Sequence, residues 1–378
     1  MPEDHRDEFP VLARKAYLIS ASLGPISVRS KRYLEEFVTA WEEMGAPEPV
    51  WFERIFPRIR EVKRLFAGLT GSDPDELAIT TNVSLALSTI LSCLDLSRSR
   101  RRIVTTELDF PTEAHVFRAQ ERRGADVVIL ESPDGLTVPT EAFAEAIDER
   151  TALVCVNRVL YRSGTILDAE EICRLAREAG AWSVVDDFHG AGVVPVDVHA
   201  LGCDFYTSGV LKWLCGGPGL AFLYARRDLL PSLRPTVSGW WGQRDPFGFS
   251  LELDYHPTAR RLETGTHAAP VPFIAQGGLE IIAEVTPVRI RGRQQELTEA
   301  IISLADEAGL PVRTPRDPAQ RGGTVTLEVG PDAEKVARAL YERDVCVDAR
   351  GDAIRVAPHF FNTDADIGKL FEALGAIR

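Results

Sequence analysis

Several things are missing from this 378-residue chain, and each absence removes a class of protein. No apolar run approaches the roughly 18 residues of a membrane span. The six cysteines, at positions 93, 155, 173, 203, 215 and 346, are scattered without a CxxC pair, so no metal site is expected. Positive charge is not in excess: the formal net charge is −13, which argues against nucleic acid or an anionic membrane as the main partner. No GxGxxG follows the first candidate strand, so a nicotinamide-type dinucleotide fold is not expected either. Internal repeats and low-complexity tracts are absent. The opening residues, Met1-Pro2-Glu3-Asp4-His5-Arg6-Asp7-Glu8, are acidic and polar, unlike a signal or transit peptide. Several cysteines sit inside apolar patterns, where a free thiol behaves as a small hydrophobe, and a reduced, cytoplasmic protein is the expectation.

What is present is globular material: 45% hydrophobic and 26% charged residues, in a chain longer than one ordinary domain. From about residue 60 to 225, short apolar runs alternate with amphipathic helical patterns. Strands are predicted at 77–80, 103–105, 127–130, 153–156, 182–185 and around 203–206, with helices at 83–94 and near 113–123. In the clearest helix, Asp168 is the expected N-cap, Glu171 completes a capping box, and Gly180 marks the C-terminus. Such alternation means a mainly parallel sheet covered on both faces. A Gly/Pro-rich stretch runs from 216 to 248. Beyond about 285 a long helix (286–308) and a strand (324–329) are expected. A helix at 332–343, strands near 345–348 and 353–357, and a last helix from 363 follow. The expectation is an α/β large domain over 30–270 and a smaller α+β domain built from 1–29 and 271–378.

Ligands of open α/β sheets collect where strand C-termini meet helix N-termini. Three such edges carry chemistry. Val184-Val185 runs into Asp186-Asp187-Phe188-His189. The strand around Cys203-Asp204-Phe205-Tyr206 leads to Leu211-Lys212-Trp213. The strand at 77–80 leads to Thr81-Asn82-Val83-Ser84 at a helix start. Together they offer an amine, a carboxylate and a phosphate-binding helix N-terminus. Pyridoxal phosphate (PLP) requires that set: a lysine for its aldehyde, an acid for its pyridine nitrogen and amides for its phosphate. Taken singly, each residue has a plainer reading. A lysine beside a tryptophan is usually a packed surface residue, and an aspartate ending a strand is often a helix cap.

The combined stretch Val185-Asp186-Asp187-Phe188-His189, Pro195-Val196-Asp197, Leu201-Gly202-Cys203-Asp204-Phe205-Tyr206 and Lys212-Trp213-Leu214 resembles the class V aminotransferase family of fold-type I PLP enzymes. Lys212 follows Asp186 by 26 residues, close to the family spacing. Within it, Ser22-Leu23-Gly24-Pro25, Phe110-Pro111-Thr112, Gly239-Trp240-Trp241-Gly242 and Ile354-Arg355-Val356-Ala357-Pro358 resemble the kynureninase branch. The resemblance implies a homodimer acting on a small amino acid, with Lys212 as the Schiff-base lysine and Asp186 as the pyridine partner. It implies His189 near the ring hydroxyl and Phe110 stacked on the ring. Val83 and Ser84 would bind the phosphate, with Thr266 reaching it across a dimer interface. Arg355 would clamp the substrate carboxylate, with Trp240 and Tyr161 as further substrate contacts.

Departures sharpen this. Position 211, usually His or Tyr in the family, is Leu. Ser84 stands where kynureninases carry His, and Glu263-Thr264-Gly265-Thr266 where they carry an Asn, so kynurenine is not the expected substrate. Cys346 lies inside a strand pattern rather than on a mobile loop, against persulfide chemistry. The leading expectation is a lyase cleaving a C–S or C–C bond at Cβ. Aminotransferase and epimerase are the alternatives, and a noncatalytic protein of the same fold is the rival from another class.

Overall fold

Strands rich in Val, Ile and Leu, each followed by a helix, have only one way to bury both faces: side by side in a sheet. The computed structural model describes residues 2–377, and its strands in chain order begin with β1 (Ala16–Tyr17) and β2 (Leu77–Thr80). Next come β3 (Arg102–Thr106), β4 (Asp126–Leu130), β5 (Thr151–Asn157), β6 (Trp182–Asp186), β7 (Phe205–Gly209) and β8 (Ala221–Ala225). A seven-stranded sheet has the order β2-β8-β7-β6-β5-β3-β4. Only β8 runs against its neighbours. Every residue of β5 is buried, as a central strand covered on both faces requires. Because β2, β3, β5, β6 and β7 all point the same way, their C-terminal ends share one edge.

The remaining strands, β9 (Val325–Glu328), β10 (Val345–Cys346), β11 (Asp348–Arg350) and β12 (Ala353–Val356), belong to smaller sheets. An antiparallel sheet has the order β11-β12-β9, while β10 pairs with β1 near the N-terminus. The expected single strand at 345–348 is therefore split, its halves going to different sheets. Helices Pro287–Glu307, Ala333–Tyr341 and Asp364–Ile377 cover this unit, whose own apolar cluster includes Leu297, Ile301, Leu327, Ile354 and Leu370.

Several elements differ from the sequence pattern. Strand β8 lies inside the Gly/Pro-rich stretch, where flanking glycines hide it. Helices Val28–Met44, Phe56–Thr70 and Pro270–Val285 have no predicted counterpart. The last is apolar around much of its circumference, with Phe273, Leu279, Ile281 and Ile282 buried, so it shows little of the amphipathic stripe that marks a surface helix. It packs between the other two. In helix Ala169–Glu178, Asp168 caps the Glu171 amide at 3.1 Å and Gly180 adopts φ +70°. The capping box does not close, however, because the Glu171 carboxylate turns to Arg174. No helix among the described residues is long and apolar enough to cross a membrane.

Candidate active site

Five strand ends on one edge bring together residues far apart in sequence. Asp186 is the last residue of β6, and Asn157, the last of β5, is its register partner. Lys212 follows β7 by three residues, Phe110 follows β3 by four, and Val83 opens helix Val83–Ser92 just after β2. Val83, Ser84, Phe110, Asp186, His189 and Lys212 all line one cavity of about 210 Å³.

Within it, Lys212 Nζ lies 2.6 Å from His189 Nε2 and 4.5 Å from the Phe188 ring centroid. Burial, helped by the charges of Arg355 and Arg350 and opposed by Asp186, brings the Lys212 amine down to about 7. Burial and the Lys212 charge likewise hold His189 well below its ordinary range, so its ring is neutral. The lysine loop is pressed from behind: a side chain at Gly24 would strike the Lys212 carbonyl, and the Gly24 amide donates to the Leu211 carbonyl at 2.8 Å.

The floor is acidic. Asp186 accepts from the Phe188 amide at 2.8 Å, and burial raises it. Beside it, Glu113 is fully buried and raised well above the carboxylate range, first by burial and then by Asp186. Asn157 Nδ2 donates to Glu113 Oε1 at 3.1 Å, and the Glu113 and Asp186 carboxyls are within hydrogen-bonding reach of each other. A protonated Glu113 facing an ionised Asp186 relieves the repulsion of two adjacent buried carboxylates. Asp109, pushed up to about 6 by burial, accepts from Thr105, Thr106 and Asn157 behind them.

Glu113, Asn157 and Asp109 do not figure in the sequence reading. Glu113 in a first helical turn reads as an ordinary dipole partner. Its one signal is its place three residues after Phe110.

At the phosphate-binding candidate, Asn82 caps the helix through the Leu85 amide at 2.8 Å, and Ser84 Oγ lies 3.3 Å from Thr112 Oγ1. Phe110 is partly exposed, its ring centroid 5.5 Å from Lys212 Nζ, with the Tyr161 ring edge-on at 5.2 Å.

One cross-strand row joins the small sheet to the Tyr161 loop, whose ring packs beside Phe110 and His189 of this cavity. Asp348, Arg355 and Thr326 are successive register partners across β11, β12 and β9. Arg355 Nε donates to Asp348 Oδ1 at 2.8 Å, and its Nη2 also bonds that carboxylate. The guanidinium further donates to the Tyr161 carbonyl at 2.6 Å and to Ser22 Oγ at 2.8 Å. Thr326 donates to the Arg162 carbonyl. The expected carboxylate clamp is thus largely engaged with protein, and it holds the Tyr161 loop.

Trp240 and Thr266 are not brought to Lys212 within the chain. They line a separate aromatic cavity of about 400 Å³ with Phe52, Phe56, Phe247 and Phe249. Glu263 turns inward, accepting from the Ile79 amide at 2.9 Å and pairing with His267 at 3.0 Å. No group of three or more potential metal ligands occurs among the described residues.

The class-V aminotransferase family model matches residues 52–365, and the chain belongs to that family of enzymes. It is 30% identical over its whole length to 98% of an uncharacterized aminotransferase of Bacillus subtilis. It is 31% identical to isopenicillin N epimerase of Streptomyces clavuligerus, covering 95% of this chain and 94% of that one. Kynureninase of Geobacillus thermodenitrificans is 29% identical over 93% of this chain and 86% of its own. In fold, the cysteine desulfurase of Thermococcus onnurineus superimposes with a TM-score of 0.89 at 21% identity, covering 100% and 98% of the two chains. Members of the family work with PLP, and the residues present fit it. Lys212 and Asp186 line one cavity, an amine for the aldehyde and a buried carboxyl for a ring nitrogen that carries a proton.

Proposed function

We propose that Lys212 carries PLP and that the enzyme cleaves a C–S or C–C bond at Cβ of a small α-amino acid. The observation that carries the reading is the amine's place: Lys212 Nζ lies 2.6 Å from His189 Nε2 in a cavity that Asp186 also lines, where desolvation brings the amine down to about 7. When bound, PLP supplies an electron sink for charge developed at the substrate Cα. Asp186 holds the proton on its ring nitrogen, and Glu113 keeps that corner from accumulating a second negative charge. The helix start at Val83 and Ser84 receives the phosphate, and Phe110 offers an aromatic face to the ring. With PLP and substrate bound, the Lys212 amine, 2.6 Å from His189 Nε2, would serve as the base that takes the Cα proton. Arg355 receives the substrate carboxylate and Tyr161 contacts the side chain, while Trp240, which lies outside this cavity in its own chain, would reach the substrate only from a second copy.

Kynurenine is a poor candidate: Ser84 replaces a ring-bearing residue, and Glu263 faces the protein rather than a ligand. Transamination or epimerisation is the second reading, favoured by the 31% identity to isopenicillin N epimerase. We further propose a homodimer. Phe52, Phe247 and Phe249 are exposed around the Trp240–Thr266 cavity, an apolar patch that a second copy would cover while carrying Thr266 to the other protomer's phosphate. Six free thiols, five of them buried, suit a reducing compartment such as the cytoplasm.

The test is direct. Purified protein should absorb in the visible, and borohydride should fix the cofactor to the peptide containing Lys212. Lys212→Ala should lose both properties. An S-substituted cysteine should yield pyruvate in many turnovers. Stoichiometric pyridoxamine phosphate and a keto acid, without pyruvate turnover, would replace the lyase by an aminotransferase.

A further inference from the structure

Arg355 has five N–H groups. Asp348 takes two of them, Ser22 a third and the Tyr161 carbonyl a fourth, so one remains. A carboxylate binds an arginine best through two parallel hydrogen bonds, which Arg355 alone cannot provide without giving up a protein partner. The missing donor is two residues from Asp348. Side chains two apart on a strand share a face, so Arg350 lies on the same side of β11 as Asp348, the face turned to Arg355. Its cross-strand neighbour is Ala353, too small to crowd it. Arg350 is half-exposed, and its Nη2 lies 3.1 Å from Asp348 Oδ2, the oxygen that Arg355 Nη2 and Ser22 also bond. The other contact is Nη1 with the Ala349 carbonyl at 2.7 Å, which leaves three N–H groups free.

We propose that Arg350 is a substrate-binding residue: the α-carboxylate is shared between Arg350 and the last free N–H of Arg355, with Asp348 fixing both guanidinium groups. This rests on the reading of the substrate as an α-amino acid. Two arginines and one aspartate carry one net positive charge, which one carboxylate balances. The receptor therefore suits amino acids with uncharged side chains. The pair adjoins the Lys212 cavity through Tyr161: Arg355 holds the Tyr161 carbonyl, and the Tyr161 ring lies 5.2 Å from the Phe110 ring and 6.2 Å from the His189 ring, both of which line that cavity.

The experiment titrates the visible band of the cofactor-loaded enzyme with L-alanine, L-aspartate and ethylamine, in wild type, Arg350→Gln and Arg350→Lys. Arg350→Gln should raise the Kd for alanine about tenfold, the scale of one charge-assisted contact at a partly exposed site. Arg350→Lys should fall between, and ethylamine, lacking a carboxylate, should bind all three alike. The Tm should change little, since Arg350 is half-exposed and holds no buried element in place. An unaltered Kd for alanine in Arg350→Gln would overturn the proposal. So would weakening confined to aspartate, which would assign Arg350 to the side chain. A wild type with no response to any amino acid would instead remove the reading on which the proposal rests.

Discussion

At the residue scale, the decisive quantity is the charge state of Lys212. In an unfolded chain its amine titrates at 10.5; in the fold, burial brings it to about 7. Capture of the cofactor aldehyde needs the neutral amine, so its rate should rise with pH through a midpoint near 7 and level off above it. Stopped-flow mixing of cofactor-free protein with PLP measures this, and a midpoint near 10 would contradict the burial argument. The linkage has a definite sign. Between about 7 and 10.5 the unfolded chain holds a proton that the folded chain has released, so cofactor-free protein gains stability as pH rises through that window. The same desolvation acts in the opposite direction on Glu113, which it keeps protonated.

At the scale of elements, the row Asp348–Arg355–Thr326 joins the small sheet to the large one. Arg355 is buried, and its guanidinium spans β11, the Ser22 segment and the Tyr161 loop. Arg355→Ala would leave Asp348 with Arg350 as its one charged partner and the Tyr161 carbonyl without its donor. Truncating one partner of a buried ion pair costs about 3–5 kcal/mol. Asp348 keeps some exposure, so about 2–3 kcal/mol is expected in urea unfolding of the cofactor-free protein. This variant should therefore lose substrate affinity and stability together, whereas Arg350→Gln separates the two. If Arg355→Ala unfolds at the wild-type urea concentration, the row is not a structural clasp.

At the scale of the whole molecule, one chain forms the Lys212 cavity but leaves Trp240 and Thr266 outside it. The exposed Phe52, Phe247 and Phe249 surround that second cavity. Sedimentation equilibrium should give twice the 41.7 kDa chain mass, and Phe249→Glu combined with Phe247→Glu should shift the species toward the single chain. A wild-type monomer with full turnover would place the whole site within one chain. The dimer should also make Thr266→Ala weaken cofactor binding although it leaves the Lys212 cavity of its own chain intact.

The sequence by itself determined the alternating strands and helices, because period-two and period-3.6 patterns are local properties of the chain. It also marked Lys212, Asp186, His189 and Val83, because each follows a predicted strand and strand C-termini share an edge once the sheet is parallel, while Phe110 was marked by the family resemblance. The tertiary structure decided the rest. Strand β8 was hidden because its pairing partners, β2 and β7, supply what its glycine-rich flanks do not signal. Glu113 reads as a surface acid until the fold buries it against Asp186, since desolvation is set by what packs around a group and not by its neighbours in sequence. Arg355 reads as a free clamp until Asp348, Ser22 and the Tyr161 carbonyl are seen to take its donors. Hydrogen-bond satisfaction is a property of three-dimensional neighbours, and three of its four bonds come from segments that only the register of β11 and β12 and the folding of the N-terminus bring together.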